Sequence, residues 1–113
     1  MWRLVFYATA NRRVPVQEFL DSLSKTEKAK VFIDLDALEE FGLTLKAPYV
    51  RSIGKKLWEL RTTGNSQHRI LYFAVAERRL VLLHGFTKKT QKTRAAEIEK
   101  ALKRMADFQR KGE

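Results

Sequence analysis

Between Lys56 and Phe86 the chain holds three runs of strand-forming residues, Lys56 to Thr62, Gln67 to Ala76 and Arg79 to Phe86, with only short links between them. Strands joined this closely pair antiparallel, because a parallel pairing needs a crossover of a dozen or more residues. The first link contains Gly64-Asn65 and the second is Glu77-Arg78, both suited to hairpin turns. A three-stranded meander is thus the firmest constraint on the fold.

The flanking segments are read from periodicity and caps. Trp2 to Ala8 is aromatic and β-branched and is bounded by Asn11, which predicts an opening strand. Pro15 suits a first helical turn, and Val16, Phe19, Leu20 and Leu23 follow at spacings of three and four. Ser24 and Glu27 have the form of a capping box before the stripe Val31, Phe32, Leu35 and Leu38, which ends near Gly42. Leu43 to Gly54, with Pro48 and Gly54, reads as a loop. Thr93 is placed to cap a last helix carrying Ala95, Ile98, Leu102, Met105 and Phe108 on one side, and Arg110 to Glu113 reads as a loose tail.

The order β-α-α-β-β-β-α predicts an α+β fold, a twisted antiparallel sheet with its helices on one face and its other face open. Alternation on the second strand sends Trp58 and Leu60 to the core and turns Leu57, Glu59 and Arg61 the other way. At 113 residues the chain is expected to form a single domain over 1–113. Absence of cysteine removes disulfides, thiolate nucleophiles and Cys-ligated zinc, and two separated histidines argue against a His-built metal site. The apolar start meets Arg3 and Arg12-Arg13 too soon for a signal or a membrane span, so a cytoplasmic protein is expected.

Charge narrows the function. Phe41 to Ala96 holds twelve Lys and Arg but only Glu59 and Glu77 as acids, and so accounts for the whole net charge of +10. Such a local field attracts polyanions, nucleic acid first among them. No Ser-His-Asp set, glycine-rich phosphate loop or acidic metal cluster can be assembled, so the candidate chemistry is cationic.

Arg61 and Arg69 face each other across the Gly64 turn, and their planar forks suit a phosphate held between them. The run His84-Gly85-Phe86-Thr87-Lys88-Lys89 puts two lysines at a strand end, Lys55 and Lys56 enter the second strand, and Lys92 and Arg94 extend the basic surface. Glu59 is either the salt-bridge partner that stops these cations repelling one another or a general base. His84 is either a packing residue or an acid-base group. Phe86 either stacks on a base or, by parity with Leu80 and Leu82, belongs to the core. His68, beside a turn, reads as exposed.

Taken together, Lys56-Leu57-Trp58-Glu59-Leu60-Arg61, Arg69-Ile70-Leu71-Tyr72 and Leu82 to Lys89 resemble the RelE/ParE toxin superfamily, in its HigB-like, phage Gp49-like branch. The resemblance covers nearly the whole chain and implies a RelE-like microbial RNase fold. It implies a type II toxin, paired with a helix-turn-helix, HigA-like antitoxin, that cuts mRNA in the ribosomal A site beside ribosomal RNA. No metal or other cofactor is implied.

In that family the 2′-hydroxyl attacks the adjacent phosphate. The resemblance assigns Arg69 to the phosphate, Lys88 or Lys89 to the basic position after the last strand, and Arg61 and Lys55 to support. Two departures stand out: Arg94 replaces a common proline, and a tyrosine used by some relatives in the last segment has no counterpart. Acid and base stay open among Glu59, His84, a lysine and the ribosomal RNA. Two other readings are a ParE-like inhibitor of DNA gyrase and an RNA-binding module without catalysis.

Overall fold

A computed structural model describes residues 1–62, 67–89 and 95–112. The elements are β1 (Arg3–Phe6), α1 (Pro15–Asp21), α2 (Lys25–Phe41), a 3-10 turn (Gly42–Thr44), β2 (Val50–Gly54), β3 (Leu57–Arg61), β4 (His68–Val75), β5 (Arg79–Thr87) and α3 (Ala95–Arg110). They form a five-stranded sheet of order β1-β5-β4-β3-β2, antiparallel except that β1 runs parallel to β5. The α+β fold and the meander are as expected, and the architecture is consistent with a RelE-like fold. Among the described residues no helix is long and apolar enough to cross a membrane.

Three features differ from the expectation. Val50 to Gly54 is a strand, because Val50 and Arg51 pair with Leu60 and Glu59 and the turn at Lys55-Lys56, both at positive φ, closes a hairpin. The sheet is mixed, because α1 and α2 carry the chain from β1 at one edge to β2 at the other, and the strands that follow return until β5 lies parallel beside β1. Finally, helices cover both faces rather than one. α1 and α2 bury Val16, Leu20, Val31, Leu35 and Leu38 against Leu60, Ile70, Tyr72, Leu80 and Leu82. On the opposite face α3 lays Ala101, Met105 and Phe108 over Leu57, Leu71, Phe73, Val81 and Leu83. Residues 70–73 and 80–83 are apolar without alternation, the pattern of strands covered on both sides.

The helices begin and end for local reasons. Ser24 caps α2 by accepting from the Glu27 N–H at 3.2 Å. Phe32 is 38% exposed, because the buried stripe runs through Val31, Asp34, Leu35 and Leu38. α3 continues to Arg110, where a loose tail was expected, and Asp107 accepts from Tyr7 Oη at 2.6 Å while pairing with Arg110 and Lys111. That carboxylate ties the end of the chain to the exit of β1.

A β-bulge sets the side-chain order at the end of β5. Leu71 pairs with His84 but Tyr72 pairs with Leu82, so Leu83 is an extra residue on β5. Parity with Leu80 and Leu82 therefore fails after the bulge: Phe86 is buried on the α3 face, and Gly85 turns toward Phe19 of α1.

Gly42 closes α2 at φ +53°, and a Cβ there would overlap the Trp2 indole. Gly42→Ala is expected to lower unfolding stability by roughly 2–4 kcal/mol, from the left-handed backbone and the steric overlap together. Urea titration checks this as a lower midpoint at unchanged slope.

Candidate nucleic-acid interface

Glu59 is the anchor of the site. In the middle of β3 it is fully buried, on the face that α3 covers, yet at the polar end of that face. A carboxylate in such a place requires cations. Arg51, directly across on β2, donates from Nε to Glu59 Oε1 at 3.0 Å. Arg69 on β4 brings its Nε to 3.8 Å from the same oxygen.

Arg61 stands opposite Arg69 in the β3–β4 register, as the hairpin reading expected. Arg69 is 5% exposed; its Nη1 donates to the His68 carbonyl at 2.9 Å and its Nη2 to Gln67 Oε1 at 3.3 Å. Among the described residues no hydrogen-bond acceptor meets its Nε. Burial lowers the Arg69 pKa, with Glu59 opposing that shift and Arg61 and Arg51 reinforcing it.

Lys88 completes the group. Just past β5, it is 7% exposed, and its N–H donates to the Gln67 carbonyl at 2.6 Å. Burial pulls its ammonium below the ordinary lysine value; Glu59 acts against this, while Arg51, Arg69 and Arg61 add to it. Among the described residues, four cations and one carboxylate thus share one corner of the sheet, with Arg69 and Lys88 largely shielded from water.

The remaining candidates lie apart or elsewhere. Lys55 and Lys56 form the turn at the far end of β3, about 16 Å from Arg61 at the usual strand rise. Lys89 is exposed beside Lys88. Lys92, Arg94 and the turn at Gly64-Asn65 lie outside the described residues. Phe86, 8% exposed, packs within the α3-side core and stacks on His84 at 5.5 Å between ring centroids.

His84 is held by α3. Its Nε2 lies 2.7 Å from Glu97 Oε1, and Arg104 Nη1 lies 2.9 Å from its Nδ1. Because a guanidinium only donates, this pattern assigns a neutral ring that accepts at Nδ1 and donates from Nε2 to Glu97. Burial lowers the His84 pKa, and the hydrogen bond that its ring donates to Glu97 acts against it.

Sequence reasoning missed Arg51, because its strand was read as a loop. The signal was present in Val50 and Ile53 flanking Arg51-Ser52, followed by Gly54-Lys55-Lys56 as a turn. It also missed His68, which is 5% exposed rather than open to solvent, because Glu27 reaches it from α2.

This geometry lies within the segment that a family model matches: the model described as Phage derived protein Gp49-like (DUF891) covers residues 18–106. The chain belongs to that family. The Gp49-like family is a RelE/HigB-like toxin family, and membership implies an antitoxin partner. No curated protein matches the chain. The matched span includes every member of the cluster on β2, β3, β4 and the end of β5.

His84 supplies a pH test of how this Gp49-like protein docks its last helix. Its folded pKa lies below the free value of 6.5, so the unfolded chain binds the proton first as pH falls. Stability is expected to be lost as pH drops through 6.5 and below, and His84→Gln is expected to flatten that part of the curve. Unfolding free energies measured from neutral to acid pH check it.

Proposed function

We propose that this Gp49-like toxin is a ribosome-dependent mRNA endonuclease, neutralised by a helix-turn-helix antitoxin. The observation that carries the reading is the gathering of Arg51, Arg69 and Lys88 around the buried carboxylate of Glu59, with Arg61 standing opposite Arg69. Such a corner attracts a bridging phosphate, whose two free oxygens match the arginine forks.

In the proposed reaction the 2′-oxygen of a nucleotide forms a bond to the adjacent phosphorus as the bond to the 5′-oxygen breaks. The products are a 2′,3′-cyclic phosphate and a 5′-hydroxyl. The 2′-hydroxyl loses a proton to a base, and the departing 5′-oxygen gains one from an acid. Arg69 and Arg61 hold the phosphate and oppose the charge that builds on its equatorial oxygens.

Lys88, with its lowered pKa and its place beside both arginines, is the proposed proton-transfer group. Glu59 is assigned to holding Arg51 and Arg69 in place. His84, bound to Glu97 and Arg104, is assigned to docking α3. Lys89 is assigned to the RNA backbone.

Induction of the chain in a bacterial host, with transcript 5′ ends mapped within minutes, tests the reading. Cuts inside translated codons are expected. Arg69→Ala and Arg69→Lys are both expected to reduce them by about a hundredfold or more, the size seen when one group stabilising a transition state is removed. Growth arrest with intact transcripts and relaxed or cleaved plasmid would select gyrase inhibition instead. RNA that binds with steep salt dependence but stays whole would leave a binding module.

A further inference from the structure

We infer that Glu27 and His68 are positioning residues for the cationic cluster, holding it from the opposite face of the sheet; the inference rests on the ribonuclease reading above. His68 begins β4, and its ring lies against α1 and α2, with the Phe19 ring edge-on at 5.7 Å. His68 Nε2 lies 3.1 Å from Glu27 Oε2, and His68 Nδ1 lies 3.0 Å from Thr87 Oγ1. A carboxylate only accepts, so Nε2 carries a proton and donates to Glu27. Thr87 serves Nδ1 in either state of the ring, because a hydroxyl both donates and accepts.

The consequence follows from strand geometry. His68 and Thr87 are register partners across β4 and β5, and each immediately precedes a cation of the cluster, Arg69 and Lys88. Successive side chains on a strand point to opposite faces. Holding the buried His68 ring under α2, with the exposed Thr87 hydroxyl bonded to its Nδ1, therefore aims Arg69 at the other face and sets the strand end from which Lys88 follows.

The His68 backbone continues the linkage. Its carbonyl accepts from Arg69 Nη1 at 2.9 Å, from the Thr62 N–H at 3.2 Å and from Thr62 Oγ1 at 2.8 Å. Residue 67 holds the neighbouring points, accepting from Lys88 N at 2.6 Å and from Arg69 Nη2 at 3.3 Å. A shift of the His68 ring thus moves the carbonyl on which the Arg69 guanidinium rests.

An apolar side chain would fill the space beside Phe19 without desolvating an imidazole and drawing in a carboxylate. What the polar pair adds is a fixed distance from the start of α2 to the strand ends. Binding of an RNA backbone spreads over many cations and tolerates a small shift, whereas the transition state does not.

The test uses full-length Glu27→Ala, Glu27→Gln and His68→Gln in ribosome-programmed mRNA cleavage, together with NMR of the arginine Nε–H signals. Glu27→Ala and His68→Gln are expected to lower kcat about ten- to a hundredfold with KM within about twofold. Glu27→Gln is expected to recover most of the activity, because its amide oxygen still accepts from Nε2. The Arg69 Nε–H signal, assigned with Arg69→Lys, is expected to move in Glu27→Ala while that of Arg13, paired with Glu18 at 2.7 Å, stays put.

Wild-type protein that leaves mRNA whole overturns the ribonuclease reading. Wild-type protein that cleaves, matched in kcat by Glu27→Ala, overturns the positioning role alone. An unmoved Arg69 signal overturns the positioning role whether or not the protein cleaves.

Discussion

Neither face of the β4–β5 hairpin can meet water, because Ile70 to Phe73 and Leu80 to Leu83 are apolar at every position. Each face must be covered, and the chain supplies α1 and α2 on one side and α3 on the other. Every other arrangement follows from this double burial. β1 takes the edge beside β5 and the β2–β3 hairpin takes the other side, so polar residues facing α3 collect at the strand ends, beyond the apolar part of that face.

The cationic cluster is best understood from the acid within it. Glu59 is fully buried, and a buried carboxylate is tolerated only where cations compensate its lost hydration. Arg51 and Arg69 approach it from the strands on either side. In turn the carboxylate lets guanidinium groups and the Lys88 ammonium stand close together. The concentration of positive charge thus depends on one negative charge beneath it.

The bulge at Leu83 and His84 governs what else shares that face. It puts both residues opposite Leu71, sends Phe86 under α3 and leaves Gly85 facing the Phe19 ring. Strict alternation would have turned Phe86 toward α1 and α2. Likewise, on the other face, Glu27 spans 41 positions of sequence to reach His68, and no local pattern encodes such a contact.

By itself the sequence determined the meander, the order of helices, the Arg61–Arg69 register and the place of the excess charge, because hairpin pairing and amphipathic periodicity are local. It also carried the signal for β2 in Val50 to Ile53 and for burial on both faces in its unbroken apolar runs. Only the tertiary structure decided that Arg51 joins Glu59, that His84 belongs to α3 through Glu97 and Arg104, and that His68 is clamped by Glu27. Those contacts depend on the angle at which helices settle on a twisted sheet and on one extra residue in β5. Both are set by the packing of the whole chain rather than by any segment of it.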